Sequence, residues 1–139
     1  MAETAGYLGK SLAQKLGVKS GQTLMAIDSP GDYADLVEPL PEGVSLVLSS
    51  LEQAEAGAEV LHLFVADRSA LAGALERVTS LAAPGGMIWI SWPKTSSPLH
   101  RDLTDRGVRD LMLPTGWVDV KVAAIDSDWS GLKFLRRRS

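Results

Sequence analysis

The sequence contains no cysteine among its 139 residues and only two histidines. The absence of cysteine excludes disulfide bonds, cysteine-based zinc sites and thiol nucleophiles. The two histidines, His62 and His100, fall on unrelated predicted elements, so a transition-metal site lacks support as well. We therefore expect a protein that folds without covalent cross-links and without a bound metal.

Long apolar runs and a surplus of positive charge are also missing. No run approaches the roughly 18 apolar residues that a membrane span needs, and residues 1–6 lack the basic flank and apolar core of a signal peptide. The net charge of -3 argues against a general nucleic-acid surface. The one basic cluster, residues 136–138, is interpreted as a solvated tail rather than a phosphate-binding patch. We expect a cytoplasmic location with no membrane or nucleic-acid partner.

What the sequence does contain is an alternation of amphipathic helices and short apolar strands. Its centre is a helical pattern ending at Leu81, a Pro84-Gly85-Gly86 turn and an apolar run over residues 87–91. Helix, turn and buried strand in this order are typical of half of a β-α-β unit in a parallel sheet. We interpret the whole chain, residues 1–139, as one α/β domain.

The periodicity of apolar residues predicts four helices and six strands. About ten residues separate the second and third strands, which leaves no room for an extra strand between them. The last two strands read as an antiparallel hairpin that closes an otherwise parallel, three-layer sheet. The predicted helices cover about 6–16, 33–37, 67–82 and 105–113, and the predicted strands cover 23–27, 44–48, 60–65, 87–91, 117–125 and 129–135.

This order of elements resembles the class I methyltransferase variant of the Rossmann fold. The local match is residues 81–90, a helix-Pro-Gly-Gly-strand segment common in that superfamily. Four further blocks resemble small bacterial proteins grouped as domain-of-unknown-function family 3052. The resemblance implies a small Rossmann-like cytoplasmic protein, and it leaves function open because no activity or catalytic residues are established for that family. The blocks cover 8–17, 89–94, 118–122 and 129–134.

The loop after the first strand determines whether a methyltransferase cofactor is expected. A methyltransferase of this class would have a glycine-rich loop there, so that the backbone approaches S-adenosylmethionine closely. Residues 26–33 hold a single glycine, and Pro30 fixes φ and removes a donor. The second strand runs into Ser49 and Ser50 instead of an acidic residue for the ribose hydroxyls, with Glu52 a poor substitute. We expect no cofactor, with S-adenosylmethionine as the alternative.

Five residues are candidate ligand contacts because open α/β sheets bind ligands at the carboxyl ends of their strands. Asp28 and Ser29 follow the first strand and either bind an amine or a metal-linked phosphate, or cap the next short helix. Trp92 and Lys94 suit an aromatic or phosphorylated ligand, unless Trp92 packs under the next helix and Lys94 is solvated. Trp129 either forms a lid or packs over the sheet end. We expect a concave pocket beside Asp28 and Trp92.

No catalytic motif is apparent. His62 lies inside an apolar strand and is interpreted as a hydrogen-bonded core residue. A Ser-His-Asp triad would need Ser29 or Ser91 near His62 or His100, and no nucleophile-elbow motif accompanies either serine. G-x-G-x-x-G and Walker loops are also absent, which disfavours nicotinamide and nucleoside triphosphate sites.

We therefore predict a non-catalytic Rossmann-like domain that binds a small ligand or a protein partner at the carboxyl edge of its sheet. One alternative is a small S-adenosylmethionine-dependent methyltransferase with an altered cofactor loop. The other is an obligate homo-oligomer whose exposed tryptophans, Trp117 or Trp129, form the subunit interface.

Overall fold

The computed structural model describes residues 11–137, and within them the chain alternates between helices and strands. The start of the first predicted helix, with Lys10, lies outside the described residues. The strands are β1 (Thr23–Ile27), β2 (Ser45–Ser49), β3 (Val60–Phe64), β4 (Met87–Pro93), β5 (Trp117–Ala124) and β6 (Trp129–Arg136). The helices are α1 (Leu12–Leu16), α2 (Tyr33–Val37), α3 (Arg68–Leu81) and α4 (Asp105–Met112), and a 3-10 turn follows over Leu113–Thr115.

The six strands form one sheet in the order β2-β1-β3-β4-β6-β5. The first four strands are mutually parallel, whereas β6 runs antiparallel to both β4 and β5. The predicted α/β fold, a mostly parallel Rossmann-like sheet with a C-terminal antiparallel hairpin, is confirmed. The chain leaves β1 for β2 on one side and then crosses to β3 on the other side. The switch point of the sheet therefore lies between β1 and β3.

Two apolar cores cover the two faces of the sheet. Leu61 and Leu63 of β3 belong to the core that includes α3 and α4, whereas Val60 and Phe64 belong to the core that includes α1 and α2. Every residue of β3 is buried, as expected for a parallel strand with helices on both faces. The continuous apolar run in the sequence follows from this double burial.

The helix ends carry local capping signals. The Asp67 side chain accepts a 2.9 Å hydrogen bond from the Ala70 N–H and so caps α3. Thr104 caps α4 in the same way, accepting from the Gly107 N–H at 3.2 Å. Gly17 ends α1 with φ of +84°, a left-handed conformation that glycine adopts without steric cost.

Two glycines lie very close to neighbouring elements. A Cβ on Gly86, in the turn before β4, would lie 2.8 Å from the Glu59 carbonyl oxygen. A Cβ on Gly131 of β6 would lie 3.1 Å from the Ser91 hydroxyl oxygen. Gly86 therefore requires glycine, because a side chain would collide with the backbone, whereas a side chain at Gly131 would have to displace neighbouring side chains.

Two tryptophans are buried, and for Trp92 this is the packing alternative that the sequence left open. The prediction of Trp117 as an exposed interface residue is wrong, because it is 2% exposed and packs in the same core as Val108 and Met112 of α4. β4 continues to Pro93, two residues beyond the predicted strand, and Trp92 within it is 4% exposed. Among the described residues, no helix has both the length and the apolar character needed to cross a membrane.

Candidate functional site

The carboxyl ends of β1, β3 and β4 meet the beginning of β6 at one edge of the sheet. Pro93 at the end of β4 is paired with Trp129 at the start of β6. Asp28 leaves β1 directly beside the end of β3, since Ile27 pairs with Leu63. This edge contains the switch point, where open α/β sheets usually bind ligands.

A cavity of about 420 Å³ lies at this switch point. It is bounded by the turn after β1, the end of β3, the first turns of α3 and the start of β6. We call it the switch-point pocket. Its lining residues are Asp28, Leu51, Leu63, Phe64, Val65, Ala66, Ala70, Ala74 and Trp129.

Aromatic rings form one wall of the switch-point pocket. The Trp129 ring meets Phe64 edge-on, with ring centroids 5.0 Å apart and planes at 80°. Phe64 in turn stacks on the buried His62 ring at 4.3 Å. These contacts hold the wall in place, because each ring is fixed by the next one towards the core.

Asp28 provides the acidic group of the pocket. Its φ is +56°, and its backbone N–H donates to the Ser49 carbonyl at 2.9 Å, which ties the turn to the end of β2. The alternative of Asp28 and Ser29 as helix caps is not what the structure shows. The residue before α2 is Asp32, and no side chain within residues 11–137 caps that helix end. The exposed Asp28 carboxylate thus makes no helix-capping hydrogen bond there.

A smaller cavity of about 300 Å³ adjoins the switch-point pocket and shares Ala66 and Trp129 with it. His100 and Arg101 line this second cavity. The Arg101 guanidinium lies 3.9 Å from the Asp67 carboxylate and is largely exposed. Sequence reasoning missed Arg101, because no local pattern indicates that the loop after β4 returns to the start of α3.

Trp92 and Lys94 lie in a different place from Asp28. They line a separate cavity of about 400 Å³ with Thr104 and Ser130. The expectation of one pocket beside both Asp28 and Trp92 is therefore wrong, because Trp92 packs into the core that includes α4. The structure brings Asp28 together with Trp129, and Trp92 together with Lys94, while Ser29 lines neither cavity.

A buried chain of hydrogen bonds runs beneath the aromatic wall. The His62 Nδ1 atom is 2.9 Å from the Tyr33 hydroxyl, and its Nε2 atom is 2.6 Å from the Ser91 hydroxyl. All three residues are fully buried, and burial lowers the pKa of His62 to about 3 and raises the pKa of Tyr33. The interpretation of His62 as a hydrogen-bonded core residue is confirmed. Ser91 does lie beside His62, but its environment admits no substrate.

The rest of the described structure offers no cluster of metal ligands and one further cavity. Within residues 11–137, no three histidine, aspartate or glutamate side chains come together as metal ligands would. A larger cavity of about 660 Å³ lies at the carboxyl end of α4, beside Pro114 and Arg137. It lies beside the start of β5 and the end of β6, at the opposite end of β6 from Trp129.

Comparison with known proteins identifies the fold. No protein-family profile and no curated protein matches the chain. Among solved structures, a S-adenosylmethionine-dependent methyltransferase from Aquifex aeolicus matches with a TM-score of 0.61 and 11% identity, over 87% of this chain and 85% of that one. Magnesium protoporphyrin IX methyltransferase from Synechocystis, solved with bound S-adenosylmethionine, matches with a TM-score of 0.58 and 9% identity, over 90% and 74%.

A possible exported protein from Bordetella parapertussis also matches, with a TM-score of 0.65 and 11% identity over 92% of this chain. The chain spans 66% of that protein, slightly less than two thirds. At these identities the comparisons concern the fold alone. The chain has the α/β fold of the class I S-adenosylmethionine-dependent methyltransferases.

Proposed function

We propose that this protein binds a small ligand in the switch-point pocket. The observation that carries the proposal is the location of a well-formed cavity where the topology of an open α/β sheet favours ligand binding. Its volume of about 420 Å³ lies within the range of roughly 300–1,000 Å³ that is usual for small-molecule sites.

The lining chemistry indicates what the ligand contains. Phe64 and Trp129 offer apolar ring surfaces, which suit a flat aromatic group. Asp28 supplies a carboxylate that accepts hydrogen bonds from an amine, a cation or a hydroxyl. The best-fitting ligand class is a ring system that carries amino or hydroxyl groups, as a nucleoside does.

The lining also supports binding rather than catalysis. Asp28 is the one ionisable side chain among the residues that line the pocket in the described part of the chain. The nearby His62 and Ser91 are buried beneath the aromatic wall, and a neutral imidazole without solvent access has no route to a substrate proton. The proposed role is therefore that of a binding domain.

The second candidate is a S-adenosylmethionine-dependent methyltransferase. It is favoured by the fold shared with a methyltransferase that was solved with bound S-adenosylmethionine. That molecule carries a flat purine and positive charge, which match Trp129 and Asp28 in chemical type. Against it stand the single glycine in residues 26–33 and the serines, Ser49 and Ser50, where an acidic residue would hold the ribose.

Family membership and location belong to the same proposal. The sequence blocks that resemble domain-of-unknown-function family 3052 support assignment of the chain to that family. We also propose that the protein acts in the cytoplasm.

A titration with S-adenosylmethionine, S-adenosylhomocysteine and adenosine tests both candidates. At a free ligand concentration about 100 times the dissociation constant, binding at one site adds about 2.7 kcal/mol to the free energy of unfolding. The thermal midpoint then rises measurably. We expect Asp28→Asn to weaken binding about tenfold or more, since a hydrogen bond to a charged group contributes roughly 1.5–3 kcal/mol.

The matched control is Asp32→Asn, which removes an exposed carboxylate from the same loop but outside the pocket. An unchanged affinity in the Asp28→Asn variant contradicts the assignment of the pocket. Binding of adenosine without binding of S-adenosylmethionine rules out the methyltransferase. If none of the three compounds shifts the midpoint at millimolar concentration and native mass spectrometry shows only the bare chain, the small-ligand proposal is wrong.

A further inference from the structure

The outer edge of β2 has main-chain groups that no described strand pairs with. β2 is the terminal strand of the sheet, with β1 on its inner side. The Ser45 N–H donates to Gln22 and the Ser49 carbonyl accepts from Asp28, so these residues face β1. Because main-chain groups alternate sides along a strand, the N–H and C=O groups of Leu46 and Leu48 point away from the sheet.

This edge is also apolar. Leu48 is 54% exposed and Val47 is 37% exposed, and the strand contains neither charge nor proline. The opposite edge of the sheet, β5, is protected in the usual ways, since it carries Asp119 and Lys121 with a bulge between them. A strand edge without such protection favours pairing with another strand.

The sequence of β2 fits one particular partner. Ser45-Leu46-Val47-Leu48-Ser49 reads the same in both directions. If a second copy lies antiparallel with Val47 on the two-fold axis, each Leu46 faces a Leu48 of the other copy. Leu46 of one copy and Leu48 of the other then form a pair of N–H···O=C hydrogen bonds. Identical apolar side chains meet on each face of the joined sheet.

We propose that two copies of this chain associate through β2, in antiparallel register about Val47, so that their sheets become continuous. The interface is isologous, as expected for a two-fold dimer, because the same short segment supplies both sides. The proposal is independent of the ligand site, since it rests on the outer edge of the sheet and not on the switch-point pocket.

Sedimentation velocity over a range of protein concentrations tests the association. We expect a reversible dimer, and we expect Leu48→Lys to weaken it at least tenfold by placing a charge at the apolar edge. Val122→Lys is the matched control, because Val122 is 59% exposed on β5 at the other edge. A chain that stays monomeric at every concentration, or a dimer that Leu48→Lys leaves unchanged, overturns the proposal.

Single cysteines test the register and do not depend on the lysine variant. The chain has no cysteine of its own, so Val47→Cys introduces one thiol per copy. In the proposed register the two Val47 Cα atoms are about 4.5 Å apart, within the range of about 4.4–6.8 Å for disulfides. The two Ser45 Cα atoms are roughly 14 Å apart, since they are four residues out of register.

We therefore expect mild oxidation to cross-link the Val47→Cys variant rapidly and the Ser45→Cys variant slowly, with at least a tenfold difference in rate. Reducing agent should restore the monomer band in denaturing gels. Equal rates for the two variants, or faster cross-linking through Ser45→Cys, overturn the two-fold register about Val47.

Discussion

At the scale of single residues, His62 is the clearest case of a polar group placed where the sequence shows only an apolar run. Both of its ring nitrogens have partners, the hydroxyls of Tyr33 and Ser91. A buried polar group is tolerated when it is hydrogen-bonded, and a neutral imidazole avoids the larger cost of burying a charge. Burial therefore explains why the pKa of His62 falls to about 3.

The lowered pKa of His62 predicts that the protein loses stability in mild acid. Between pH 6.5 and about 3 the unfolded chain binds a proton at His62 that the folded chain does not. Stability therefore falls as the pH falls through this window, by about 1.4 kcal/mol per pH unit from this residue. Urea denaturation at pH 7, 6, 5 and 4 measures the slope.

The control for this prediction is His62→Gln, which keeps a hydrogen-bonding side chain but cannot titrate. We expect this variant to be less stable than the natural protein at pH 7, because it disturbs the hydrogen bonds to Tyr33 and Ser91, and we expect its stability to fall less steeply between pH 6.5 and 4. Equal slopes for the two proteins would show that the acid sensitivity comes from other groups.

At the scale of elements, Trp92 at the end of β4 and Lys94 just after it have different roles. Trp92 is buried in the core with α4, whereas Lys94 is half-buried at the mouth of a cavity. The sequence made both residues candidate ligand contacts, with packing of Trp92 under the next helix as the alternative. The structure gives the Trp92 ring a packing role and leaves Lys94 as the side chain accessible to a ligand.

We predict that Trp92→Ala destabilises the fold by about 3–5 kcal/mol, the usual cost of removing a large buried aromatic side chain. Lys94→Ala should change the free energy of unfolding by less than about 0.5 kcal/mol, as for most surface substitutions. Equilibrium unfolding in urea compares the two variants with the natural protein. A Trp92→Ala loss below about 1 kcal/mol would mean that the indole is not part of the core.

Most of the elements were predictable because their signals are local. The caps at Asp67 and Thr104 each involve residues that are near one another in sequence, and the turn before β4 places Gly85 at φ of +76°, a conformation that favours glycine. The end of β4 was predicted two residues short. Pro93 is held in the strand by pairing with Trp129, a contact between residues far apart in sequence.

The sequence predicted the edge of the sheet on which the site lies, but it did not predict which side chains line the site. Strand ends locate the region, but which side chains share a cavity depends on how each strand is rotated and on what packs above it. Asp28 and Trp129 therefore came together, whereas Trp92 turned towards the core. Likewise, the left-handed turn at Asp28 appeared without the expected glycine, since aspartate is one of the few other residues that adopt it.

At the scale of the whole molecule, the sheet has a pocket at the carboxyl ends of its strands and two unequal outer strands. The switch point between β1 and β3 provides the pocket, and the antiparallel hairpin closes one side with a charged, bulged strand. The other side ends at β2, which is apolar and symmetric in sequence. The proposed ligand site and the proposed dimer contact therefore lie on separate parts of one fold.

If the dimer forms through folded β2 edges, thermal stability must depend on protein concentration. Association of native chains stabilises them by mass action, and a tenfold rise in concentration adds about 1.4 kcal/mol per dimer. For a domain of this size we expect the unfolding midpoint to rise by about 2 °C per tenfold increase. Calorimetry of the natural protein and of the Leu48→Lys variant measures this, and the variant should show a constant midpoint. A constant midpoint in the natural protein, over concentrations at which sedimentation shows the monomer-dimer transition, would mean that association does not depend on the folded edge.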